Sequence, residues 1–377
     1  MKRICFVAAS PLTLRVFMRN HMLRLSSLYE VTAVANFTDN DLLVDRLPDV
    51  RLVSIPIIRK ISLISDIRAF FALLQFFRRE RFDCVHSLTP KAGLLTMLAA
   101  KLSHIPNRIH TFTGQVWSNK TGIKRFCLKM LDKCIAVFAT ELLADSRSQV
   151  QFLVGQDVAA AGKINVLGNG SVCGVDIKRF RPNLNLRIKV RTILAIPNDS
   201  IVYLYLGRIN KDKGICDLAK AFSDIAKSNP HFHLLVVGPD EGGLDNILQS
   251  TLSEQSSQFH RIGFTETPED YLVCADILCL PSYREGFGSV IIEAAAAGIP
   301  AIASNIYGLV DAVENGITGI LHEPKNIRDI SVALLTLAEN DDLRMRMSKQ
   351  AMARARELFD ENIVVTAMLK YYQKLLS

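Results

Sequence analysis

The stretch ILCLPSYREGFGSVIIEAAAAGIPAIAS, residues 277–304, is the most informative part of this sequence. It begins with an apolar, β-forming run and passes through a loop that carries Gly286 and Gly288. An alanine-rich apolar helix follows from Ser289, and then a second apolar run. Strand, glycine loop, helix and strand in this order are typical of an α/β domain with a parallel sheet.

The same alternation extends over the rest of the chain. Predicted strands in the first half are RICFVAA, YEVTAVAN, VRLVSIPI, FDCVHSL, RIHTFTG and ELLADS. Those in the second half are IVYLYLG, FHLLVVG, FHRIGF, ADILCLP, IPAIAS and TGILHE. Helical segments separate the strands in both halves, which predicts two doubly wound, Rossmann-like domains.

The length of 377 residues suits two domains of similar size. Polar sequence with Pro and Asn at residues 179–200 places the boundary near residue 190. We therefore predict an α/β protein with domains 1–190 and 191–357 facing each other across a cleft.

The composition, 49% hydrophobic and 22% charged, is that of a globular protein. No run of about 18 apolar residues occurs, so we expect no membrane-spanning segment. The eight cysteines are scattered, without a C-x-x-C pair or a histidine at metal-ligand spacing. We expect reduced thiols, no bound metal and a cytoplasmic protein.

The formal charge of +8 is unevenly distributed. Residues 1–180 hold 25 Lys and Arg against 13 Asp and Glu, whereas residues 181–377 hold 20 against 24. A basic first half suits an anionic partner, either a ligand or a membrane surface. Nucleic acid is not expected, because the chain has no helix-turn-helix, zinc-finger or RNA-recognition signature and only one tryptophan.

Two carboxylates and a helix start surround the glycine loop of residues 282–288. The N–H groups at the start of the helix, from Gly288 to Ile291, are suited to bind a phosphate. Glu285 lies on the loop and Glu293 about one turn into the helix, so both carboxylates point towards one ligand. A nucleotide-sugar, with hydroxyls at both ends, fits this arrangement.

Two cations follow the strand IVYLYLG. Arg208 comes directly after Gly207, and Lys213 precedes Gly214 at the start of a helix. An Arg and a Lys five residues apart beside a strand end can neutralise a diphosphate leaving group without a metal. Either motif alone would more often be structural, but both together at strand ends in one domain favour a ligand site.

With these two motifs the chain resembles the family-four glycosyltransferases, whose signature includes GR-x4-KG and E-x7-E. Further segments that fit are VVGPDEGGL, RIGF, DILCLPS and NGITGIL, so the resemblance covers nearly the whole chain. It implies a GT-B fold, a donor site in the second domain, an acceptor site in the first, and sugar transfer with retention of configuration. It implies no metal and no cofactor beyond the nucleotide-sugar. A C-terminal helix, residues 358–377, would cross back to the first domain.

The resemblance also implies roles for individual residues. Arg208 and Lys213 would hold the diphosphate, Glu293 the ribose hydroxyls, and Glu285 the donor sugar. The implied donor-binding set is Gly207, Arg208, Lys213, Gly286, Phe287, Gly288, Ser289, Val290 and Glu293, and the catalytic candidates are Glu285, Arg208, Lys213 and His86.

The first domain departs from the common family pattern. Many relatives carry a glycine loop near residue 10, where this chain has Ala-Ala-Ser-Pro, and a His-Gly pair where it has Thr113-Gly114. The run HSLTPKAGL resembles the H-T-P-K-A-G segment of bacterial polysaccharide glycosyltransferases, which points to O-antigen or capsule assembly. The acceptor-side candidates are Ser10, His86, Lys91, His110 and Thr113. A histidine near a strand is, however, more often a hydrogen-bonded structural residue.

A basic amphipathic segment, residues 59–81, carries an apolar stripe of Ile64, Ile67, Phe71 and Leu74. It could be an ordinary helix packed on the sheet, or it could lie in a membrane interface. Packing on the sheet is the commoner structure for such a stripe, but the basic charge of the first half favours membrane contact through its exposed basic faces, which include Arg15, Arg19 and Arg24. We expect the first domain to dock on the anionic inner leaflet of the cytoplasmic membrane.

The sequence thus predicts a retaining glycosyltransferase that uses a UDP-sugar and an undecaprenyl-diphosphate-linked or other glycan acceptor. Two alternatives keep the fold but change the function. One is a nucleotide-sugar epimerase or hydrolase, and the other is a binding protein without catalysis. Release of nucleoside diphosphate that depends on an acceptor would distinguish the transferase from both.

Overall fold

The computed structural model describes residues 1–38, 47–58 and 62–377. The chain forms two compact units, the first made of residues 1–174 and 361–377 and the second of residues 175–360. The boundary predicted near residue 190 differs from this division, because it falls inside a helix of the second unit, Leu184–Ile193. The side chain of Asn183 accepts a hydrogen bond from the N–H of Leu186 at 3.0 Å, so the polar sequence there caps a helix.

In the part of it that the structure describes, the first unit contains seven strands and the helices that cover them. The strands are β1 (Arg3–Val7), β2 (Glu30–Ala35), β3 (Val50–Ser54), β4 (Cys84–Leu88), β5 (Asn107–Phe112), β6 (Glu141–Ala144) and β7 (Ile164–Asn165). The helices are α1 (Pro11–Thr13), α2 (Arg19–Ser26), α3 (Leu63–Glu80), α4 (Pro90–Leu102), α5 (Gly122–Phe138) and α6 (Arg147–Gly155), with one π-helical turn at Leu14–Met18. The C-terminal helix, Glu361–Leu375, also belongs to this unit.

The second unit contains six strands. They are β8 (Ile201–Leu206), β9 (Phe232–Val237), β10 (Phe259–Ile262), β11 (Ile277–Leu280), β12 (Ala301–Ser304) and β13 (Gly319–His322). The helices are α7 (Leu184–Ile193), α8 (Ile215–Ala226), α9 (Asp245–Thr251), α10 (Pro268–Cys274), α11 (Ser289–Ala296), α12 (Leu309–Ala312), α13 (Ile327–Glu339) and α14 (Asp341–Phe359). Short 3₁₀ turns occur at Lys211–Lys213 and Ser253–Gln255.

Both sheets are parallel, and their strand orders are β3-β2-β1-β4-β5-β6-β7 and β10-β9-β8-β11-β12-β13. All twelve predicted strands are present, and the two-residue strand β7 was too short to be seen as a pattern. In each sheet the order reverses beside the first strand, between β1 and β4 and between β8 and β11. Ligands of open α/β sheets bind at such a switch point, outside the carboxyl ends of the strands.

Each sheet is covered on both faces, as a doubly wound fold requires. In β8, Val202 and Leu204 pack into one hydrophobic cluster, whereas Tyr203 and Tyr205 pack into the cluster on the opposite face. The central strand β1 divides in the same way between two clusters of the first unit. Buried strands therefore present continuous apolar runs, which is what made them visible in the sequence.

A buried arginine ties α7 to the sheet of the second unit. The Arg191 side chain is fully buried and donates to Asp276 at 2.7 Å and to the carbonyl oxygen of Cys274 at 3.0 Å. Asp276 also accepts from Arg187 at 2.6 Å and from the N–H of Val202 at 2.7 Å. Removal of Arg191 would leave the carboxylate of Asp276 only partly compensated.

We predict that Arg191→Met lowers the free energy of unfolding by about 3–5 kcal/mol, the usual cost of breaking a buried ion pair. The measurement is urea unfolding followed by circular dichroism. Lys227→Met is the matched control, because the Lys227–Glu254 pair is 3.8 Å apart and mostly solvent-exposed. Equal midpoints for the two variants would contradict the role given to Arg191.

Candidate active site

The loop after β8 carries the first pair of predicted site residues. The carbonyl oxygen of Arg208 accepts a hydrogen bond from the buried Tyr205 hydroxyl at 2.7 Å, which fixes the backbone as it leaves the strand. The guanidinium of Arg208 donates to the Glu241 carboxylate at 2.8 Å. Both side chains of this pair are about two-fifths exposed.

Gly214 brings this loop against the loop that follows β11. Its φ is +66°, in the left-handed region, and a Cβ atom there would overlap the carbonyl oxygen of Pro281. The N–H of Tyr283 donates to the carbonyl oxygen of Asp212 at 2.9 Å, which joins the same two loops. Two sequence motifs that lie about 70 residues apart are thereby placed side by side.

Lys213 and Glu285 form an ion pair across this junction. Both side chains are more than four-fifths buried, so the pair is shielded from bulk water. The Ser282 hydroxyl donates to the same carboxylate oxygen, Glu285 Oε1, at 2.9 Å. The predicted GR-x4-KG and E-x7-E elements therefore meet through their charged side chains, at the switch point between β8 and β11.

Tyr283 and Asp217 also hold the glycine loop in place, and no sequence pattern predicted a role for either residue. The Tyr283 hydroxyl donates to Asp217 on α8 at 2.5 Å, and the Lys325 ammonium lies 5.2 Å from the centre of the Tyr283 ring. The Arg284 guanidinium lies 3.6 Å from Asp212. These contacts join segments that are distant along the chain, so no fixed spacing in the sequence could predict them.

The glycine loop ends at the start of α11. Gly288, with φ +80°, is the residue before the helix, and Ser289 and Val290 are its first two residues. Gly286 is buried, and a Cβ atom at Gly308 would overlap its carbonyl oxygen, so the loop after β12 packs closely against it. The Phe287 side chain packs against Phe359 in the core, which leaves only the backbone of Phe287 to face a ligand.

Glu293 lies one turn into α11, as predicted. Desolvation by the surrounding protein raises the pKa of its carboxyl to about 7, against a lowering effect of Arg179 and a raising effect of Glu269. Arg179 itself donates to Glu269 at 2.7 Å. The charge of Glu293 thus changes near neutral pH.

The predicted acceptor-side residues of the first unit separate into two groups. Ser10, Lys91 and Thr113 follow β1, β4 and β5, three neighbouring strands, so they lie along one carboxyl edge of the sheet. Lys91 forms an ion pair with Asp66 and donates to the carbonyl oxygen of Ile58 at 2.6 Å. Ser10 and Thr113 are partly exposed.

The two histidines belong to the core instead. His86 is fully buried, with one ring nitrogen 2.8 Å from the Tyr372 hydroxyl and the other 2.7 Å from Thr111 Oγ1. Burial lowers its pKa to about 3, so the ring is neutral at physiological pH. The prediction that His86 contacts the acceptor or transfers a proton is therefore wrong, because both nitrogens are bonded inside the protein.

His110 is a second correction. It is 1% exposed, lies 2.8 Å from Ser87 Oγ, and has a pKa lowered by burial to about 3. The Cα atom of Gly93 packs so closely on its ring that a Cβ atom would overlap it. The glycine of the H-S-L-T-P-K-A-G run thus serves the packing of α4 on β5.

Among residues 1–38, 47–58 and 62–377, no helix is long and apolar enough to cross a bilayer. Within the same residues, no three His, Cys, Asp or Glu side chains are grouped so as to hold a metal ion.

Comparison with known proteins gives the same family for both units. The model of glycosyl transferases group 1 matches residues 187–354, and that of the glycosyl transferase 4-like domain matches residues 15–170. Capsular polysaccharide biosynthesis glycosyltransferase CapM of Staphylococcus aureus is 32% identical, over 85% of this chain and 84% of its own. A UDP-Gal:alpha-D-GlcNAc-diphosphoundecaprenol alpha-1,3-galactosyltransferase of Escherichia coli is 30% identical, over 81% and 80%.

Solved structures show the same fold at lower identity. Anabaena Alr3699/HepE in complex with UDP and glucose aligns over 100% of this chain and 99% of its own, with a TM-score of 0.83 at 18% identity. Sucrose-phosphate synthase of Thermosynechococcus elongatus aligns equally far, with a TM-score of 0.85 at 21% identity. The chain therefore has the GT-B fold and is a glycosyltransferase that belongs to the group 1 family.

Proposed function

We propose that this chain transfers a sugar from a UDP-sugar to an undecaprenyl-diphosphate-linked glycan, with retention of configuration, during assembly of a capsule or O-antigen. The observation that carries the proposal is the meeting of Lys213 and Glu285 beside Arg208 at the switch point of the second unit. The name of the Escherichia coli relative specifies a UDP-sugar donor and a diphosphoundecaprenol acceptor. The Staphylococcus aureus relative supports a capsule setting.

The cations would act on the leaving group. As the bond between the anomeric carbon and the diphosphate oxygen breaks, negative charge grows on the diphosphate. Arg208 can bind two phosphate oxygens with its planar guanidinium, and Lys213 supplies a point charge from a shielded position. We propose that these two cations do the work of a metal, so that no metal and no other cofactor is required.

The glycine loop would hold the sugar and the ribose. Ser282 and Lys213 both donate to Oε1 of Glu285, so a sugar hydroxyl would donate to Oε2. A carboxylate engaged by two donors is a weak nucleophile, which supports a positioning role for Glu285 rather than a covalent one. The acceptor hydroxyl would then attack the anomeric carbon from the face that the diphosphate leaves, and its proton would pass to the departing diphosphate oxygen. The carboxylate of Glu293 would accept from the ribose hydroxyls.

An anionic bilayer is the proposed partner of the first unit. This unit holds 25 Lys and Arg against 13 Asp and Glu. On α3, Ile64, Ile67 and Phe71 are more than half exposed, and α3 packs on the sheet through Leu73 and Phe77 instead. The interpretation of that stripe as core is therefore wrong for three of its four residues, while Leu74 packs against the core. Residues 59–61 lie outside the described residues.

Helix α5 presents a second exposed apolar stripe, which we did not predict. Ile123, Phe126 and Val137 are 73%, 61% and 66% exposed, and basic residues such as Lys124 accompany them. Helix α4 packs against both α3 and α5, so the three helices form one layer whose outer surface is apolar and basic. Apolar side chains that enter the interface and cations that meet anionic headgroups are what a peripheral docking surface needs.

We expect Lys213→Ala to reduce kcat by 10²–10³-fold, about 3–4 kcal/mol of transition-state stabilisation, since one preorganised charge is lost. The measurement is UDP release from a UDP-sugar that depends on an undecaprenyl-diphosphate-linked acceptor, with EDTA present throughout. Lys211→Ala is the matched control, because Lys211 lies in the same 3₁₀ turn and is exposed. Acceptor-independent UDP release would favour a hydrolase, and full activity of Lys213→Ala would refute the diphosphate assignment.

Affinity for UDP-glucose should rise up to about tenfold from pH 6 to pH 8 as Glu293, with its pKa of about 7, loses its proton. The deprotonated carboxylate accepts hydrogen bonds from the ribose hydroxyls better than the protonated form. The diphosphate diester of UDP-glucose does not titrate in this range. Isothermal titration should therefore give a pH-dependent Kd for the wild type and a flat, weaker one for Glu293→Gln. A flat wild-type profile would remove Glu293 from the ribose site.

Phe126→Asp should reduce binding to vesicles that contain anionic lipid, because it places a negative charge within the α5 stripe. Flotation at low and high salt is the measurement, and binding of the wild type should weaken with salt. Val332→Asp is the control, since Val332 is 56% exposed on α13 of the second unit. If the wild type fails to float with anionic vesicles at low salt, the docking proposal is wrong.

A further inference from the structure

Each of the two cations proposed for the diphosphate is paired with a carboxylate in the structure. Lys213 is paired with Glu285, and Arg208 with Glu241 at 2.8 Å. The pairs differ in exposure, because the first is more than four-fifths buried while the side chains of Arg208 and Glu241 are 40% and 37% exposed. An exposed pair is screened by water and contributes little to stability, so Arg208 can leave Glu241 at low cost.

The backbone keeps Glu241 next to Arg208 whether or not the side chains are paired. Glu241 lies in the loop after β9, where its own N–H donates to the carbonyl oxygen of Ile209 at 3.1 Å. The N–H of Gly242 donates to the same oxygen at 3.0 Å, and the N–H of Ile209 donates to Pro239 at 2.9 Å. Ile209 directly follows Arg208, so three hydrogen bonds fasten the Glu241 loop to the residue beside the cation.

From this geometry we infer that Glu241 is a counter-anion that competes with the nucleoside diphosphate for Arg208. This inference rests on the proposed function, in which Arg208 binds the diphosphate. A diphosphate at Arg208 must displace the Glu241 carboxylate, and the displaced carboxylate stays close to it as a like charge. Both effects weaken UDP binding and speed its release after transfer. Glu241 is a positioning residue, because it acts through Arg208.

The test is the affinity of Glu241→Gln for UDP, measured by isothermal titration. Glutamine keeps the shape and can still accept a hydrogen bond from Arg208, but it removes the charge. We expect UDP to bind about three- to fivefold more tightly, the scale of one solvent-screened ion pair. The gain should shrink at high salt, and it should be absent for uridine, which carries no phosphate. A purely structural role would not separate UDP from uridine.

Two further variants keep the outcome interpretable. Glu254→Gln makes the same change in net charge at an exposed ion pair and should leave UDP affinity unchanged. Glu254 precedes β10 and so lies at the amino edge of the sheet, whereas Glu241 follows β9 at the carboxyl edge. In the Arg208→Ala background, Glu241→Gln should lose its effect if it acts through Arg208. The inference is overturned if Glu241→Gln binds UDP no more tightly than the wild type, or if its gain persists without Arg208.

The proposed function fails in a different way. If Arg208→Ala binds UDP as tightly as the wild type, then Arg208 does not hold the diphosphate, and the premise is lost together with the inference. If Arg208→Ala binds weakly while Glu241→Gln equals the wild type, only the competition by Glu241 is refuted.

Discussion

The close approach of two loops, at a point where only glycine fits, is the constraint on which the site of the second unit depends. Gly214 has a left-handed backbone and lies against the carbonyl oxygen of Pro281, so the loops after β8 and β11 touch. A side chain there would force them apart and separate Lys213 from Glu285. The ion pair that joins the two sequence motifs is therefore a consequence of backbone packing at the switch point of the sheet.

Charge is organised differently at each position of this site. The Lys213–Glu285 pair is shielded, the Arg208–Glu241 pair is solvated, and Glu293 has a pKa raised to about 7 by desolvation. A shielded charge needs little rearrangement when the leaving group becomes negative, whereas a solvated pair exchanges partners easily. Under the proposed function, tight transition-state binding and rapid product release make opposite demands on the residues that bind the diphosphate, and two pairs of unequal burial can satisfy both.

In the first unit, histidine and glycine residues that were expected at a ligand site serve the core instead. His86 and His110 are neutral, hydrogen-bonded residues of central strands, and Gly93 is small because the ring of His110 lies against it. The polar residues that follow β1, β4 and β5 remain at the carboxyl edge. The outward faces of α3 and α5 are apolar, in a unit that carries an excess of basic residues. The proposed membrane docking would therefore use these helix faces and not the histidines.

Sequence patterns were enough to predict the twelve strands, the two parallel sheets and the two motifs of the second unit. Fully buried strands are continuous apolar runs, and glycines and charges at strand ends keep a fixed local spacing. The folded chain was needed to show which histidines are buried, that Asn183 caps a helix instead of marking a boundary, and which faces of α3 and α5 are exposed to solvent. The same holds for the pairing of Arg208 with Glu241 and of Tyr283 with Asp217. These features depend on contacts between segments that are distant along the chain, and local sequence patterns carry no information about such contacts.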